Sequence, residues 1–98
     1  MDPLPIYTVI VRKALYDSSS DFNDFDESRF YFSSLEAILR NLPDIIIGRL
    51  TDLFEAIEDS NKTVGEVVAY LAKRENITKP LHLTDNVSIV CAWEVLHR

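Results

Sequence analysis

The sequence predicts an α+β fold in which a small antiparallel sheet, with the first and last strands at its centre, is covered on one face by three consecutive helices. Runs of β-branched and aromatic residues near both ends of the chain are typical of strands. Three apolar patterns with helical spacing lie between them. With 98 residues, 47% of them hydrophobic and 27% charged, the chain has the size and composition of a single domain spanning residues 1–98.

The first strand is predicted at Ile6–Leu15, whose apolar character is too continuous for an exposed edge. The segment Asp17–Ser28 contains five carboxylates and four serines, which favours a loop. Arg29–Phe32 is dominated by aromatic residues and is predicted to return as a second strand beside the first.

The first helix is predicted to begin at Ser33–Glu36, whose residue order matches a capping box. Its apolar stripe consists of Leu35, Ile38, Leu39 and Leu42. Pro43 is expected to end this helix, because proline lacks the backbone N–H that a helix interior requires, and it suits the first turn of the next helix.

The second helix is predicted at Asp44–Asp59 and shows the clearest amphipathic pattern in the chain. Its apolar arc comprises Ile46, Ile47, Leu50, Leu53, Phe54 and Ile57. The opposite face comprises Asp44, Asp52, Glu55, Glu58 and Asp59. The pattern therefore predicts a continuous stripe of carboxylates along one helix.

The remaining elements follow from shorter patterns. Thr63–Glu66 is a second capping box, which predicts a third helix reaching about Arg74. Pro80–Leu83 is predicted as a short strand and Val87–Leu96 as a long final strand. Both faces of that final strand are fairly apolar, so it should lie in the centre of the sheet, next to the first strand.

Negative charge is concentrated in one part of the chain. Residues 17–59 contain eleven acidic residues and three arginines, a net charge of −8, whereas the rest of the chain carries +2, which together give −6. Such a concentration on a small domain suggests a basic partner, because like charges repel one another within the folded state.

Two acidic segments are the candidate binding site. The predicted partner-binding residues are Asp21, Phe22, Asp24, Phe25, Asp26 and Glu27 in the loop, and Asp44, Asp52, Glu55 and Asp59 on the second helix. The phenylalanine rings would dock into the partner while the carboxylates meet basic side chains. The alternative interpretation is a solubilising loop and an ordinary solvated helix face.

Several kinds of chemistry find no support in the sequence. Cys91 lies on the final predicted strand and His97 directly follows it, about 20 Å away along an extended chain, too far for a catalytic pair. The thiol is expected to be buried, in a protein of a reducing compartment. One cysteine and two separated histidines give no zinc-ligand spacing, and the segment from Asp21 to Glu27 lacks the glycine and closing glutamate of a calcium loop. No cofactor is predicted.

Direct nucleic-acid binding is disfavoured by the acidic charge and the scattered basic residues. The longest aliphatic run, Ile45–Ile47, is far shorter than the ~20 apolar residues that span a bilayer, so no membrane association is predicted. With no secretory leader at the amino terminus, the expected location is the cytoplasm.

The sequence therefore predicts a small acidic protein-binding module without enzymatic activity, an inhibitor or adaptor acting on a basic protein such as a nucleic-acid-binding protein. Phage-encoded inhibitors and toxin immunity proteins share this composition, although no motif links the chain to them. The first alternative is a self-associating structural protein, for example of a virus, that pairs through an edge strand or through Ile45, Tyr70 and Trp93. The second alternative is an enzyme with dispersed carboxylates.

Overall fold

The computed structural model describes residues 4–15 and 24–96, of which residues 4, 5, 15, 24, 25, 95 and 96 are described by their backbone alone. The described elements comprise four strands, three α-helices and one short 3-10 helix. They are β1 (Leu4–Leu15), β2 (Asp24–Phe32), α1 (Leu35–Arg49), α2 (Thr51–Asp59), α3 (Val64–Leu71), the 3-10 helix Arg74–Asn76, β3 (Leu81–His82) and β4 (Val87–Leu96).

The strands form one antiparallel sheet in the order β2-β1-β4-β3. The first and last long strands lie side by side at its centre, with Val9 opposite Cys91, and this confirms the predicted fold class. β1 and β4 run together for ten residue pairs, from Leu4 opposite Leu96 to Lys13 opposite Val87. β3 covers β4 only at Ser88 and Ile89.

β2 begins at Asp24, so the prediction of a loop extending to Ser28 is wrong for residues 24–28. The register explains why so polar a segment forms a strand. Arg12 lies opposite Glu27, and Lys13 lies opposite Asp26. Pairs of opposite charge directly across an antiparallel ladder stabilise the pairing, and this cross-strand effect is invisible in the local sequence of β2.

α1 continues through Pro43 to Arg49, so the prediction that Pro43 ends the helix is also wrong. Ile38, Leu42 and Ile46 follow one another at intervals of four residues, and all three are fully buried. Burial of this stripe on both sides of Pro43 outweighs the roughly 3 kcal/mol that an interior proline costs a helix. The N-cap is Ser34, whose Oγ accepts a hydrogen bond from the Ala37 N–H at 3.0 Å.

The helix break lies instead at Leu50, where φ is −111° and ψ is 65°. The single helix predicted at Asp44–Asp59 is therefore two, and Asp44 belongs to α1 whereas the other carboxylates of the predicted stripe belong to α2. Ile47, which was predicted on the apolar arc, is 63% exposed. Leu53 and Ile57 are buried as predicted.

α3 begins as predicted, with the Thr63 hydroxyl accepting a hydrogen bond from the Glu66 N–H at 3.1 Å. The helix ends at Leu71, three residues before the predicted end at Arg74. β4 has the predicted bounds, and β3 is limited to Leu81–His82 within the predicted Pro80–Leu83.

The core lies between the helices and one face of the sheet. It contains Val9 and Val11 of β1 and Ile89 and Cys91 of β4, packed with the buried sides of all three helices. Residues of the central strands with the opposite parity, such as Thr8 and Ile10, point to the other sheet face and are buried as well. Within the part of the chain that the structure describes, no helix has the length and apolar character needed to cross a membrane.

Candidate functional site: an acidic cleft at one end of the sheet

The exposed side of α2 carries three of the predicted binding residues in one row. Asp52, Glu55 and Asp59 stand at i, i+3 and i+7, a spacing that places them on the same helix face. All three are exposed, because the other side of α2 buries Leu53 and Ile57 in the core. Burial of the apolar stripe therefore determines which way the carboxylates point.

Lys13 of β1 connects this row to the sheet. Its Nζ donates a hydrogen bond to Asp52 Oδ2 at 2.7 Å, and both side chains remain accessible to solvent. The hydrogen bond and the charge of Asp52 raise the pKa of Lys13 above 10.5, and the more distant carboxylates of Asp26 and Glu55 act in the same direction. Lys13 is therefore held as a cation by acids from both the sheet and the helix.

Two shallow clefts adjoin each other at the Lys13–Asp52 ion pair. The larger, about 280 Å³, also contains Asp26 of β2 and Arg49 at the end of α1. The smaller, about 170 Å³, also contains Glu55 and Asp59. We refer to Lys13, Asp26, Asp52, Glu55 and Asp59 together as the acidic cleft.

The charge of this region is unevenly distributed. In the larger cleft, Lys13 and Arg49 balance Asp26 and Asp52, so the charges there sum to zero. In the smaller cleft, Lys13 stands against Asp52, Glu55 and Asp59, which leaves −2. The uncompensated negative charge is therefore on the α2 side, next to the turn that contains Thr84 and Asn86.

Glu27, although adjacent to Asp26 in sequence, belongs to the other face of the sheet. Its carboxylate pairs with Arg29 at 2.7 Å and with Arg12 at 3.2 Å. The hydrogen bond from Arg29, together with the charges of both arginines, lowers the pKa of Glu27 below 4.5. Glu27 is therefore paired with two arginines on the face of the sheet opposite the acidic cleft, and the structure does not bring it together with the cleft.

The other predicted residues lie outside the acidic cleft or outside the described part of the chain. Asp44 is exposed on α1 and lines neither of the two clefts. Asp24 and Phe25 lie at the start of β2, where the structure describes only the backbone. Asp21 and Phe22 are outside the described residues, so the docking of the two phenylalanine rings stays a prediction.

Sequence reasoning did not identify Lys13 as part of the site. The sequence does show Arg12 and Lys13 as one of only two adjacent basic pairs. Alternation along a strand sends such neighbours to opposite faces, and in the structure Arg12 pairs with Glu27 whereas Lys13 pairs with Asp52. The adjacent basic pair is visible in the sequence, but only the register of β1 against β2 shows that Lys13, and not Arg12, lies at the acidic cleft.

The acidic cleft presents charged side chains that are accessible to solvent. Within the described residues, no three His, Cys, Asp or Glu side chains are arranged to hold a metal ion. Cys91 is buried in the core, and burial raises the pKa of its thiol to about 11, which makes it a poor nucleophile. What the cleft offers a ligand is exposed carboxylates around one lysine.

A third open cleft, of about 480 Å³, lies toward the other end of the sheet and is lined by Tyr7, Arg74, Ile77 and Trp93. Tyr7 and Trp93 are directly opposite each other on β1 and β4, and Trp93 is 52% exposed. The helices leave this pair of aromatic residues only partly covered.

Comparison with known proteins gives no guide to these clefts: the sequence matches no protein-family model, and no curated protein or solved structure shows significant similarity to it.

Proposed function

We propose that this protein binds a basic protein surface through the acidic cleft and acts as a non-enzymatic inhibitor or adaptor. The observation that supports the proposal best is the row of Asp52, Glu55 and Asp59 on the exposed face of α2, with Asp26 reaching the same region from the sheet. Three further carboxylates, those of Asp26, Glu55 and Asp59, surround the ion pair between Lys13 and Asp52.

The exposure of these carboxylates determines how they would act. Solvated charges contribute little net affinity individually, but a concentrated patch accelerates the encounter with a partner of opposite charge and selects against acidic partners. Binding through this cleft should therefore be fast at low ionic strength and should weaken as salt is added.

The density of charge along α2 favours a nucleic-acid-binding protein as the partner. Asp52, Glu55 and Asp59 lie within seven residue steps, or about 10.5 Å of helix axis. A basic groove that accepts the closely spaced phosphates of a nucleic acid would meet a short row of negative charges on α2.

The proposed location is a reducing compartment such as the cytoplasm. Cys91 is a free thiol that is buried in the core, and unpaired cysteines are typical of proteins that are not exposed to oxidising conditions.

The test is a capture experiment with two bait variants that change net charge equally. The first variant neutralises the α2 row with Asp52→Asn, Glu55→Gln and Asp59→Asn. The second, a matched control, makes Asp44→Asn, Glu66→Gln and Glu75→Gln, which are exposed positions outside the acidic cleft. Immobilised proteins are incubated with host-cell lysate and eluted with stepped salt, and the eluted proteins are identified by mass spectrometry.

We expect the unmodified protein and the control to retain the same basic protein, released at moderate salt, and the α2 variant to lose it. Circular dichroism and thermal unfolding test whether both variants are folded, which is expected because the replaced groups are exposed. Equal retention by the α2 variant and the control would show that binding does not use the acidic cleft. Recovery of an acidic partner would contradict the proposed electrostatics.

A further inference from the structure

β4 has one side that is only partly covered. β3 pairs with it at Ser88 and Ile89, and the Thr78 N–H donates a hydrogen bond to the Cys91 carbonyl at 2.8 Å. Among residues 4–15 and 24–96, no strand pairs with this side of β4 beyond that point. Within these described ranges, Ala92–Leu96 is therefore an open edge, paired with β1 on its other side.

The backbone groups along this open edge can be assigned from the hydrogen bonds nearby. Val87 and Cys91 both direct their carbonyl groups to the β3 side, where Leu83 and Thr78 donate to them. Because the direction alternates from residue to residue, Trp93 and Val95 also direct their N–H and C=O groups to that side. The open edge thus presents two donors and two acceptors.

The two outer sides of the sheet differ in how well they discourage pairing with another chain. β2, the other outer strand, contains four charged residues among its nine, namely Asp24, Asp26, Glu27 and Arg29. Such charges are a common way of blocking edge-to-edge association. The open edge of β4 has one charge in five residues, Glu94, and carries the half-exposed Trp93.

We propose that the open edge of β4 pairs with the same edge of a second copy, forming a weak twofold-symmetric dimer with a sheet continuous across both molecules. An antiparallel pair of identical strands needs a central residue that faces its own copy. Among the described residues of the open edge, Trp93 and Val95 carry the outward-facing groups, so the pairing that matches all of these groups is centred on Glu94. Trp93 then pairs with Val95 of the second copy. In this register, the N–H and C=O groups of Trp93 and Val95 in each chain form hydrogen bonds with those of Val95 and Trp93 in the other chain.

The neighbouring structure favours this register over a shifted one. Moving the centre to Trp93 would require Cys91 to pair with the second copy, but its carbonyl already accepts from Thr78. In the register centred on Glu94, the two Trp93 residues are diagonal neighbours on the helix-covered side of the seam. Diagonal neighbours are ~7–8 Å apart, within reach of aromatic side chains.

The area of this contact predicts a concentration-dependent dimer. Five residues from each chain, extending for ~16 Å, bury roughly 600 Å² in total, which is well below the ~1,200 Å² of a standard stable interface. The Glu94 carboxylates face each other at the centre and further weaken the pairing. Dissociation constants in the range of roughly 10–1,000 µM are therefore expected.

Analytical ultracentrifugation from about 10 µM to about 1 mM tests the proposal. The weight-average mass should rise from 11.2 kDa toward twice that value. Because Trp93 is the only tryptophan in the chain, its emission should shift to shorter wavelength over the same concentration range as it becomes covered. A mass of 11.2 kDa at every concentration would overturn the proposal, because it would show that the open edge does not pair with a second copy.

Three variants test the register. Val95→Pro removes an N–H that points to the open edge and donates no hydrogen bond to β1, so it should weaken the dimer at least tenfold. The matched control Val95→Thr should not weaken it. Glu94→Lys mixed with the unmodified chain should form mixed dimers roughly threefold or more tighter than either chain alone, since opposite charges then meet. Unchanged association of Val95→Pro, or no preference for mixed dimers, would refute the proposed pairing.

Discussion

Thr8 offers a direct test of the packing at the centre of the sheet. Its side chain is 0% exposed, and no hydrogen-bond partner for its Oγ1 is found among the described residues. A buried hydroxyl without a partner costs about 1–3 kcal/mol. Thr8→Val removes that polar atom and puts a methyl group of similar shape in its place, in a strand where valine is favoured. We expect the free energy of unfolding to rise by about 2 kcal/mol, equivalent to about 8–16 °C in Tm for a chain of this size.

The same substitution at Thr84 is the control, and the expected sign is opposite. Thr84 Oγ1 accepts hydrogen bonds from the N–H groups of Asn86 and Val87 at 3.2 and 3.1 Å. Thr84→Val should therefore lower the free energy of unfolding by about 1 kcal/mol. Urea denaturation followed by circular dichroism measures both values. A Thr8→Val protein that is no more stable than the unmodified one would mean that the Thr8 hydroxyl is hydrogen-bonded in solution, and the reasoning would fail.

Three further predictions concern α1, the charge pairs and the thiol. Pro43→Ala should raise the free energy of unfolding, measured by urea denaturation, by about 2 kcal/mol. The helix gains roughly 3 kcal/mol, and the greater flexibility of the unfolded chain offsets about 1 kcal/mol of this. A lower free energy of unfolding would mean that α1 requires the proline. The arginine neighbours of Glu27 lower its pKa below 4.5, so the stability that this carboxylate contributes is complete above pH 4.5 and is lost as the pH falls through its folded-state pKa. The difference in unfolding free energy between the unmodified protein and Glu27→Gln should therefore shrink in acid. A difference independent of pH would contradict this. Cys91, with a pKa of about 11 and no exposure, should react with a thiol reagent only after urea is added, and rapid labelling of the native protein would show that it is accessible.

The elements that the sequence predicted correctly are those specified by their own residues. β4 has the predicted bounds because its apolar character is continuous, and Thr63 starts α3 because its hydroxyl can cap the helix locally. The wrong predictions depended on distant partners. Pro43 is accommodated because the buried stripe continues beyond it, and residues 24–28 become a strand because Arg12 and Lys13 lie opposite Glu27 and Asp26.

The candidate site was predicted only in part for a similar reason. Helical spacing on α2 was enough to place Asp52, Glu55 and Asp59 on one exposed face. Spacing could not show that Asp26 approaches this face while its neighbour Glu27 is paired with arginines on the other side of the sheet. That separation follows from strand alternation in β2, in a segment whose composition indicated a loop.

The two proposed surfaces are far enough apart to be tested independently. Lys13 and Trp93 mark the two surfaces, and Trp93 lies opposite Tyr7, so six residue steps of β1 separate them, which corresponds to ~20 Å. Pairing of β4 edges would therefore leave both acidic clefts of a dimer open, and each dimer would present two of them. Val95→Pro should weaken the dimer at least tenfold without changing capture of a basic partner by a single chain, whereas the α2 variant should lose capture and still dimerise. If one substitution removed both activities in folded protein, the two surfaces could not be separate, and the assignment of functions to the two ends of the sheet would have to be abandoned.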